Sequence, residues 1–164
     1  MKALFIGRFQ PFHNGHLKVI QKMSNEYDEI IIGIGSSQYN YTVDNPFTAD
    51  ERREMIVKSL EKIGVKNYKI ILIPDIHNPP KWVDHILKIF NDFDVVISNS
   101  DLTNYCFSNK GFKIIKPQFY NKDKYSGRVI RKKIKNNEKW DDLIPDEVFK
   151  IIKRIKGDIR IKKL

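Results

Sequence analysis

The run Glu29–Gly35, with the sequence EIIIGIG, constrains the fold of this chain more than any other stretch. After its first residue it contains only isoleucine and glycine, over the length of one strand. A strand without alternating polar residues is typical of a parallel sheet that is covered on both faces. Such a sheet needs helices between its strands, and we therefore expect an α/β architecture.

Further strands are predicted on both sides of this run, and segments with helical periodicity separate them. The expected strands are 3–6, 29–35, 68–73, 94–98 and 112–115. One helix is expected from about Asn14 or Gly15, and others at 48–63, 81–91, 101–108, 125–136 and 145–156, with Gly157 as the final stop. The alternation predicts a single Rossmann-like, doubly wound domain over 1–164, with a five-stranded parallel sheet and helices on both faces.

Cysteine usage and charge limit the function classes. Cys106 is the single cysteine, which excludes an internal disulfide and a multi-cysteine metal site and fits a cytoplasmic location. We expect no membrane helix and no signal peptide, because no apolar run approaches roughly 20 residues and the chain enters a strand at once. The formal net charge of +10 suits a polyphosphate or nucleic-acid partner, or else reflects a solvated lysine-rich surface, which we favour for most lysines.

The first sixteen residues combine a strand, a tight turn and a helix start. Arg8, His13 and His16 lie in that turn, after Gly7 ends the strand. Unpaired N–H groups and the positive end of the helix dipole point toward such a turn, so phosphate is the expected guest. From chemistry alone the two histidines are phosphate donors, metal ligands, acid–base residues or a structural pair, and their spacing matches no established metal site.

The segment 125–131, YSGRVIR, predicts a second helix N-terminus that can hold phosphate. Ser126 can cap the helix, Gly127 allows the backbone to approach a ligand, and Arg131 follows one turn later. A capped basic helix without any ligand is the alternative interpretation.

Loops at the carboxyl edge of the predicted sheet contain most of the unusual residues, and ligands bind at that edge in doubly wound folds. These loops are 7–13, 35–47, 74–80, 98–101 and 116–126, the last with Phe119 and Tyr120. Trp82 is either a platform for a ligand or the first core anchor of its helix. Arg52 either reaches a nucleotide or pairs with a carboxylate. Gly33 and Gly35 serve either ligand approach or sheet packing.

The run 7–16, GRFQPFHNGH, resembles the first signature of the nucleotidyltransferases with a His-x-Gly-His motif. Its form is similar to that of the nicotinamide mononucleotide (NMN) adenylyltransferases, especially the short archaeal type. The segment 125–131 resembles the second signature, Ser-x-Thr-x-x-Arg, which holds the ATP phosphates in that superfamily. Arg128 stands at the threonine position, where a hydroxyl is lost and a cation is gained, and we expect it to contact the polyphosphate.

The resemblance implies transfer of AMP from ATP to NMN, giving NAD and pyrophosphate. It assigns His16 to the α-phosphate in the transition state. It implies that the β- and γ-phosphates are held by His13, Arg8, Ser126 and Arg131. The full set of ATP-binding residues also includes Gly7, Phe9, Arg128 and Ser98. The NMN set is Trp82, Asp75, Asn78 and Gly35, with the tryptophan stacked on the nicotinamide ring. Further candidates at the nucleotide are Arg52 and Asn99.

The resemblance also implies Mg²⁺ or another divalent cation, held mainly by the ATP phosphates and water rather than by a protein metal site. The implied partners are ATP and NMN, without nucleic acid or membrane, in a homo-oligomer that is often a hexamer in this family. Two rivals stay open. One is a sister transferase that uses CTP or another phosphorylated acceptor, and the other is a non-enzymatic nucleotide or nucleic-acid binder.

Overall fold

The computed structural model describes residues 1–118 and 121–164, and its centre is a five-stranded parallel sheet. The strands are β1 (Lys2–Gly7), β2 (Glu29–Gly35), β3 (Tyr68–Ile73), β4 (Val95–Ile97) and β5 (Lys113–Ile115). Their order is β3-β2-β1-β4-β5, and every pair of neighbours is parallel. The predicted α/β fold with a five-stranded parallel sheet is confirmed. Phe119 and Tyr120, expected in a loop, lie outside the described residues.

Seven α-helices surround the sheet in the described part of the chain. They are α1 (Asn14–Glu26), α2 (Ala49–Lys62), α3 (Pro79–Ile89), α4 (Asp101–Ser108), α5 (Gly127–Lys135), α6 (Asp146–Arg154) and α7 (Gly157–Lys163). A short 3-10 helix, Asp141–Leu143, precedes α6 and was not predicted. None of these helices combines the length and the apolar character needed to cross a bilayer.

Each face of the sheet carries its own hydrophobic core, because alternate residues of a strand point to opposite faces. Phe5 and Ile32 belong to one core, which α1, α2, α5, α6 and α7 cover. Leu4 and Ile31 belong to the other core, which α3 and α4 cover. With both faces covered, the run Glu29–Gly35 has no solvent side, and this explains why it lacks alternating polar residues.

The connections create a crevice at one edge of the sheet. From β1 the chain continues to β2 and β3 on one side, and it then returns to β4 and β5 on the other side. Helix α1 after β1 and helix α4 after β4 pack on opposite faces. The carboxyl ends of β1 and β4 therefore border the kind of crevice in which doubly wound sheets bind ligands.

Two helix boundaries differ from the prediction for physical reasons. Helix α3 spans Pro79–Ile89 rather than 81–91, since proline is accepted in a first turn, where its missing N–H has no partner to lose. The predicted helix 145–156 is followed by another helix, which begins at Gly157 instead of stopping there. A Cβ on Gly157 would lie 2.7 Å from Cε1 of Phe47. This glycine therefore allows close packing against a residue far away in the sequence, and it does not stop a helix.

Candidate active site

A cavity of about 810 Å³ opens at the carboxyl edge of the sheet. The residues that end or follow four of the strands line it, namely Gly7, Gly35, Ile73 and Ser98. It also borders the N-termini of two helices, because His13, the N-cap of α1, and Ser126, the N-cap of α5, line it as well. The cavity therefore lies at the crevice formed by the reversal of strand order.

Fourteen of the fifteen residues predicted for the site line this one cavity. They are Gly7, Arg8, Phe9, His13, His16, Gly35, Asp75, Asn78, Trp82, Ser98, Asn99, Ser126, Arg128 and Arg131. They lie on five separate segments of the sequence, and the fold brings them together. Their individual roles toward a substrate stay predictions.

His13 and His16 form a reciprocal cap at the start of α1. The backbone N–H of His16 donates to Nδ1 of His13 at 3.3 Å, and the N–H of His13 donates to Nδ1 of His16 at 3.2 Å. A capping box normally uses a hydroxyl and a carboxyl group in these two places. Because each Nδ1 accepts, a neutral ring at either position carries its proton on Nε2, the atom that can donate to an anion.

Burial keeps both of these histidines uncharged. It lowers the pKa of His13 to about 3. It also lowers the pKa of His16 well below the usual value, and the nearby His13 lowers it further. Aromatic rings hold His16 in place, since Phe12 stacks on it at 5.5 Å and Phe9 meets it edge-on at 4.8 Å between ring centroids. The pair thus offers neutral N–H donors at pH 7, and positive charge must come from other residues.

Three arginines supply that charge. Arg131 is buried and donates from Nη1 to the backbone oxygen of Gln10 at 2.8 Å. Burial lowers the pKa of Arg131, and repulsion from Arg8 and Arg128 lowers it further, while Asp44 opposes the shift. Arg8, Arg128 and Arg131 all line the cavity, so the three guanidinium groups share one region. Such a region favours a polyanion.

The N-terminus of α5 has the expected residue at its N-cap but lacks the expected side-chain hydrogen bond. Ser126 takes the N-cap position of α5, but its side chain makes no capping hydrogen bond, so the prediction of a serine cap is wrong in that respect. The approach of a ligand to Gly127 stays a prediction, and the close approach that the structure shows at this glycine is to Gln10 and Arg131. A Cβ there would lie 2.8 Å from the backbone oxygen of Gln10 and 3.0 Å from Nη1 of Arg131. The start of α5 therefore packs directly against the turn that carries the histidines.

Arg52 is the one predicted residue outside the cavity lining, and neither expected role fits it. Its side chain is fully buried, and burial lowers its pKa to about 10. The acceptors of its guanidinium are backbone oxygens, those of Arg8 at 2.8 Å, Gly35 at 2.8 Å, Thr48 at 3.2 Å, Ser36 at 3.3 Å and Tyr39 at 3.5 Å. Arg52 therefore ties together the ends of β1 and β2 beneath the site instead of reaching a ligand.

Trp82 has the core contact that one of its interpretations predicts, and its role as a platform for a ligand stays a prediction. Its ring packs edge-to-face on Phe107, with the centroids 5.7 Å apart, and the same side chain lines the cavity. The two glycines of β2 differ in their surroundings, and ligand approach at Gly35 stays a prediction. A Cβ on Gly33 would lie 2.6 Å from Cδ1 of Ile73, which shows a packing requirement, whereas a Cβ on Gly35 would meet no atom closer than 3.6 Å.

Two loops meet beside Trp82, and the sequence did not reveal their connection. The side-chain amide of Gln38 pairs with the backbone of Asp75, through bonds of 2.9 Å and 2.8 Å. The hydroxyl of Tyr39 is hydrogen-bonded to the ring of His77, whose backbone N–H donates to Oδ1 of Asp75 at 2.8 Å. These hydrogen bonds fix Asp75, with its carboxylate, at the edge of the cavity.

Several lining residues were missing from the predicted set. They are Ile6, Gln10, Ser36, Ile73, His77, Pro79, Ser100, Leu102, Thr103, Pro117, Lys122 and Gly127, together with Phe5. Ser100 could have been found from the sequence, because serine before a helix is a common N-cap. In the structure it is the N-cap of α4, and its hydroxyl accepts from the N–H of Thr103 at 3.3 Å. Phe5, Ile6 and Ile73 lie in predicted strands, and Gln10, Ser36, His77, Pro79, Pro117 and Lys122 lie in the predicted loops at the same edge of the sheet. Only the fold shows which residues of these segments face the cavity.

The comparisons with known proteins agree on the family of this chain. The cytidylyltransferase-like family model matches residues 4–133. A nicotinamide-nucleotide adenylyltransferase of Methanococcus aeolicus is 51% identical over 100% of this chain and 95% of its own length. Another protein with that name, from Methanococcus vannielii, is 46% identical with the same coverage.

A solved structure shares the fold at lower identity. It is a bifunctional NMN adenylyltransferase/ADP ribose pyrophosphatase from Francisella tularensis, crystallised with AMP and a manganese ion. The TM-score is 0.79 at 23% identity, over 99% of this chain and 52% of the other. The present chain thus spans about half the length of that protein, and the likeness supports the nucleotidyltransferase fold.

Proposed function

Since this chain belongs to the cytidylyltransferase-like family and, within it, to the nicotinamide-nucleotide adenylyltransferases, we propose that it transfers AMP from ATP to NMN. The products are NAD and pyrophosphate, so the enzyme acts in NAD biosynthesis. One observation carries the proposal: two helix N-termini, two neutral histidines and three arginines border a single cavity. That set of donors suits a triphosphate whose α-phosphate is attacked.

The reaction is an in-line displacement at phosphorus. An oxygen of the NMN phosphate bonds to the α-phosphorus of ATP, while the bond from that phosphorus to the oxygen bridging the β-phosphate breaks. The NMN phosphate is an anion at pH 7, so no general base is needed. Catalysis then consists of positioning the two phosphates and of stabilising the charge that develops on the α-phosphate and on pyrophosphate.

The residues at the two helix tips divide the phosphates between them. His16 donates from Nε2 to the α-phosphate in the transition state, and loss of one such donor costs about 3–4 kcal/mol of transition-state stabilisation. The β- and γ-phosphates are held by His13, Arg8, Ser126 and Arg131. Arg128 adds a third guanidinium charge nearby, which supports a contact with the polyphosphate.

The other end of the cavity takes the remaining parts of the substrates. Trp82 stacks on the positively charged nicotinamide ring, because a tryptophan face attracts a cation. Polar groups of Asp75 and Asn78 bind the carboxamide, with Gly35 leaving room for NMN. The adenosine of ATP lies by Gly7, Phe9, Ser98 and Asn99.

A divalent cation, Mg²⁺ in the first place, accompanies the triphosphate. The side chains near the phosphate end are mainly cationic, and no group of three His, Cys, Asp or Glu residues in 1–118 and 121–164 is arranged to hold a metal ion. These residues therefore fit an ion that is coordinated mainly by phosphate oxygens and water. Bound with the triphosphate, such an ion would supply positive charge that offsets the charge of the leaving pyrophosphate.

The setting of the enzyme is also proposed. We place it in the cytoplasm as a single domain over 1–164 and as a homo-oligomer, without a nucleic-acid or membrane partner. Leu102 and Tyr105 on α4 support a subunit interface, since their large apolar side chains are exposed one helical turn apart.

Pyrophosphate release tests the proposal directly. ATP or CTP is supplied with NMN, nicotinic acid mononucleotide, phosphopantetheine or FMN, and release is expected with ATP and a pyridine mononucleotide. Release only with another acceptor or with CTP would identify a sister transferase. Tight RNA binding that weakens steeply with salt, without release in any combination, would identify a nucleic-acid binder.

A further inference from the structure

The C-terminal helix α7 is joined to the loop that precedes α2 by one arginine. Arg160 forms a two-pronged ion pair with Glu51, through bonds of 2.7 Å and 2.9 Å, and both side chains are largely buried. Its Nη1 also donates to the backbone oxygen of Pro46 at 2.9 Å. Planar pairing of this kind orients a guanidinium group as well as attracting it. The backbone at Pro46 is therefore fixed by a residue more than a hundred positions later in the chain.

The next residue passes this constraint to the site. The side-chain amide of Gln10 donates to the backbone oxygen of Phe47 at 3.0 Å and accepts from its N–H at 2.9 Å. The backbone oxygen of Gln10 accepts from Nη1 of Arg131 at 2.8 Å. Short hydrogen bonds thus connect α7 to Arg131 through Pro46, Phe47 and Gln10.

We propose that Arg160 is a positioning residue for the triphosphate site, which acts by fixing the place of the Arg131 guanidinium. This inference rests on the proposed function. Arg131 has a long flexible side chain, and it can meet a phosphate in one orientation only if the acceptor at Gln10 is itself held. A displacement of about 1 Å in such a group can cost a hundredfold in rate.

The chain offers a matched control in Arg154. This residue lies on α6 and also makes a two-pronged ion pair, with Glu54, through bonds of 2.8 Å and 2.6 Å, but Arg154 is exposed whereas Arg160 is largely buried. Glu54 lies one turn after Glu51 on the same helix, α2. Both pairs join the C-terminal helices to α2, but only the Arg160 pair includes a hydrogen bond to the loop at Pro46.

The experiment compares Arg160→Gln, Arg160→Lys and Arg154→Gln in the full chain. Melting temperature, kcat, and KM for each substrate are measured. Arg160→Gln lowers the melting temperature by a few degrees, and Arg154→Gln lowers it less, because an exposed ion pair contributes little stability. Only Arg160→Gln lowers kcat/KM for ATP about tenfold, with KM for NMN within about twofold of the wild type. Arg160→Lys, which keeps the charge without the planar fork, falls between them and tests the proposal if the glutamine variant does not fold.

A double substitution tests the route through Arg131. In an Arg131→Lys background, Arg160→Gln lowers kcat/KM for ATP by less than about a further twofold, because the guanidinium group that Arg160 positions has already been replaced. If the losses of kcat/KM from Arg131→Lys and Arg160→Gln multiply fully in the double variant, the proposal is overturned. An equal loss of kcat/KM in Arg160→Gln and Arg154→Gln overturns it as well. If the wild type makes no NAD, the proposed function fails instead. Weaker binding of inorganic tripolyphosphate by Arg160→Gln than by Arg154→Gln then still tests the positioning of Arg131.

Discussion

The imidazole rings of His13 and His16 stack at 3.5 Å between centroids, with an angle of 17° between their planes. Each ring accepts the backbone N–H of the other residue at Nδ1, so one contact closes the first turn of α1 and sets both tautomers. The Nε2 atoms remain the donors suited to a phosphate, and burial keeps the rings neutral. The Nδ1 edges of the two rings cap the helix, and the proposed phosphate contacts would use the opposite Nε2 edges.

Substitution of His16 by alanine is expected to lower kcat at least about a hundredfold, because the α-phosphate loses its donor. The fold survives with a loss of about 1 kcal/mol in unfolding free energy, since a helix cap is removed. Steady-state NAD formation and urea denaturation measure the two effects. His85→Ala is the control, because His85 bonds to the backbone oxygen of Pro74. Near-normal turnover of His16→Ala would remove this histidine from the chemistry.

Stability is expected to fall as the pH drops from about 6.5 toward 3. The unfolded histidine binds a proton near pH 6.5, whereas the pKa of folded His13 is about 3, so acid favours the unfolded state. The stabilisation is complete above pH 6.5 and is lost at up to about 1.4 kcal/mol per pH unit for each buried histidine. Urea titrations at pH 7 and pH 5 measure it, above the range in which most carboxylates titrate. A His13→Asn/His16→Asn variant with the same slope would contradict this origin.

Substitution of Trp82 by alanine is expected to raise KM for NMN about tenfold and KM for ATP much less, because only the nicotinamide loses its stacking surface. The melting temperature also falls, since the ring packs on Phe107. Trp140→Ala provides the control for lost packing, because Trp140 lies against Phe149 with the centroids 5.3 Å apart. Equal changes of KM for both substrates in Trp82→Ala would argue against stacking.

Substitution of Gly127 by alanine is expected to damage both stability and ATP use. The new methyl group would press on the backbone oxygen of Gln10 and on Arg131, at a cost of about 1–3 kcal/mol in unfolding free energy and with a higher KM for ATP. Gly35→Ala, where the nearest atom is 3.6 Å away, should change the unfolding free energy by less than about 0.5 kcal/mol. Denaturation curves for the two variants that coincide would contradict the close approach of α5.

Local signals predicted the five strands and the helices α1 to α6, and the family resemblance supplied about half of the cavity lining. The strands Glu29–Gly35 and Tyr68–Ile73 were predicted to the residue, because apolar runs end where polar or turn-forming residues begin. Helix α2 begins at a capping box, in which Thr48 and Glu51 make both hydrogen bonds across three positions of the chain. These features depend on neighbours within a few positions, which the sequence shows directly.

The sequence by itself therefore determined the parallel sheet, the two helix tips and the family to which the chain belongs. Only the tertiary structure decided what Arg52, Gly157 and Arg160 do, because their partners are backbone atoms and rings far away in the chain. It also decided that the two histidines are neutral, since burial sets that charge. Periodicity tells which side of an element is buried, but not which atoms meet there, and those meetings make the site.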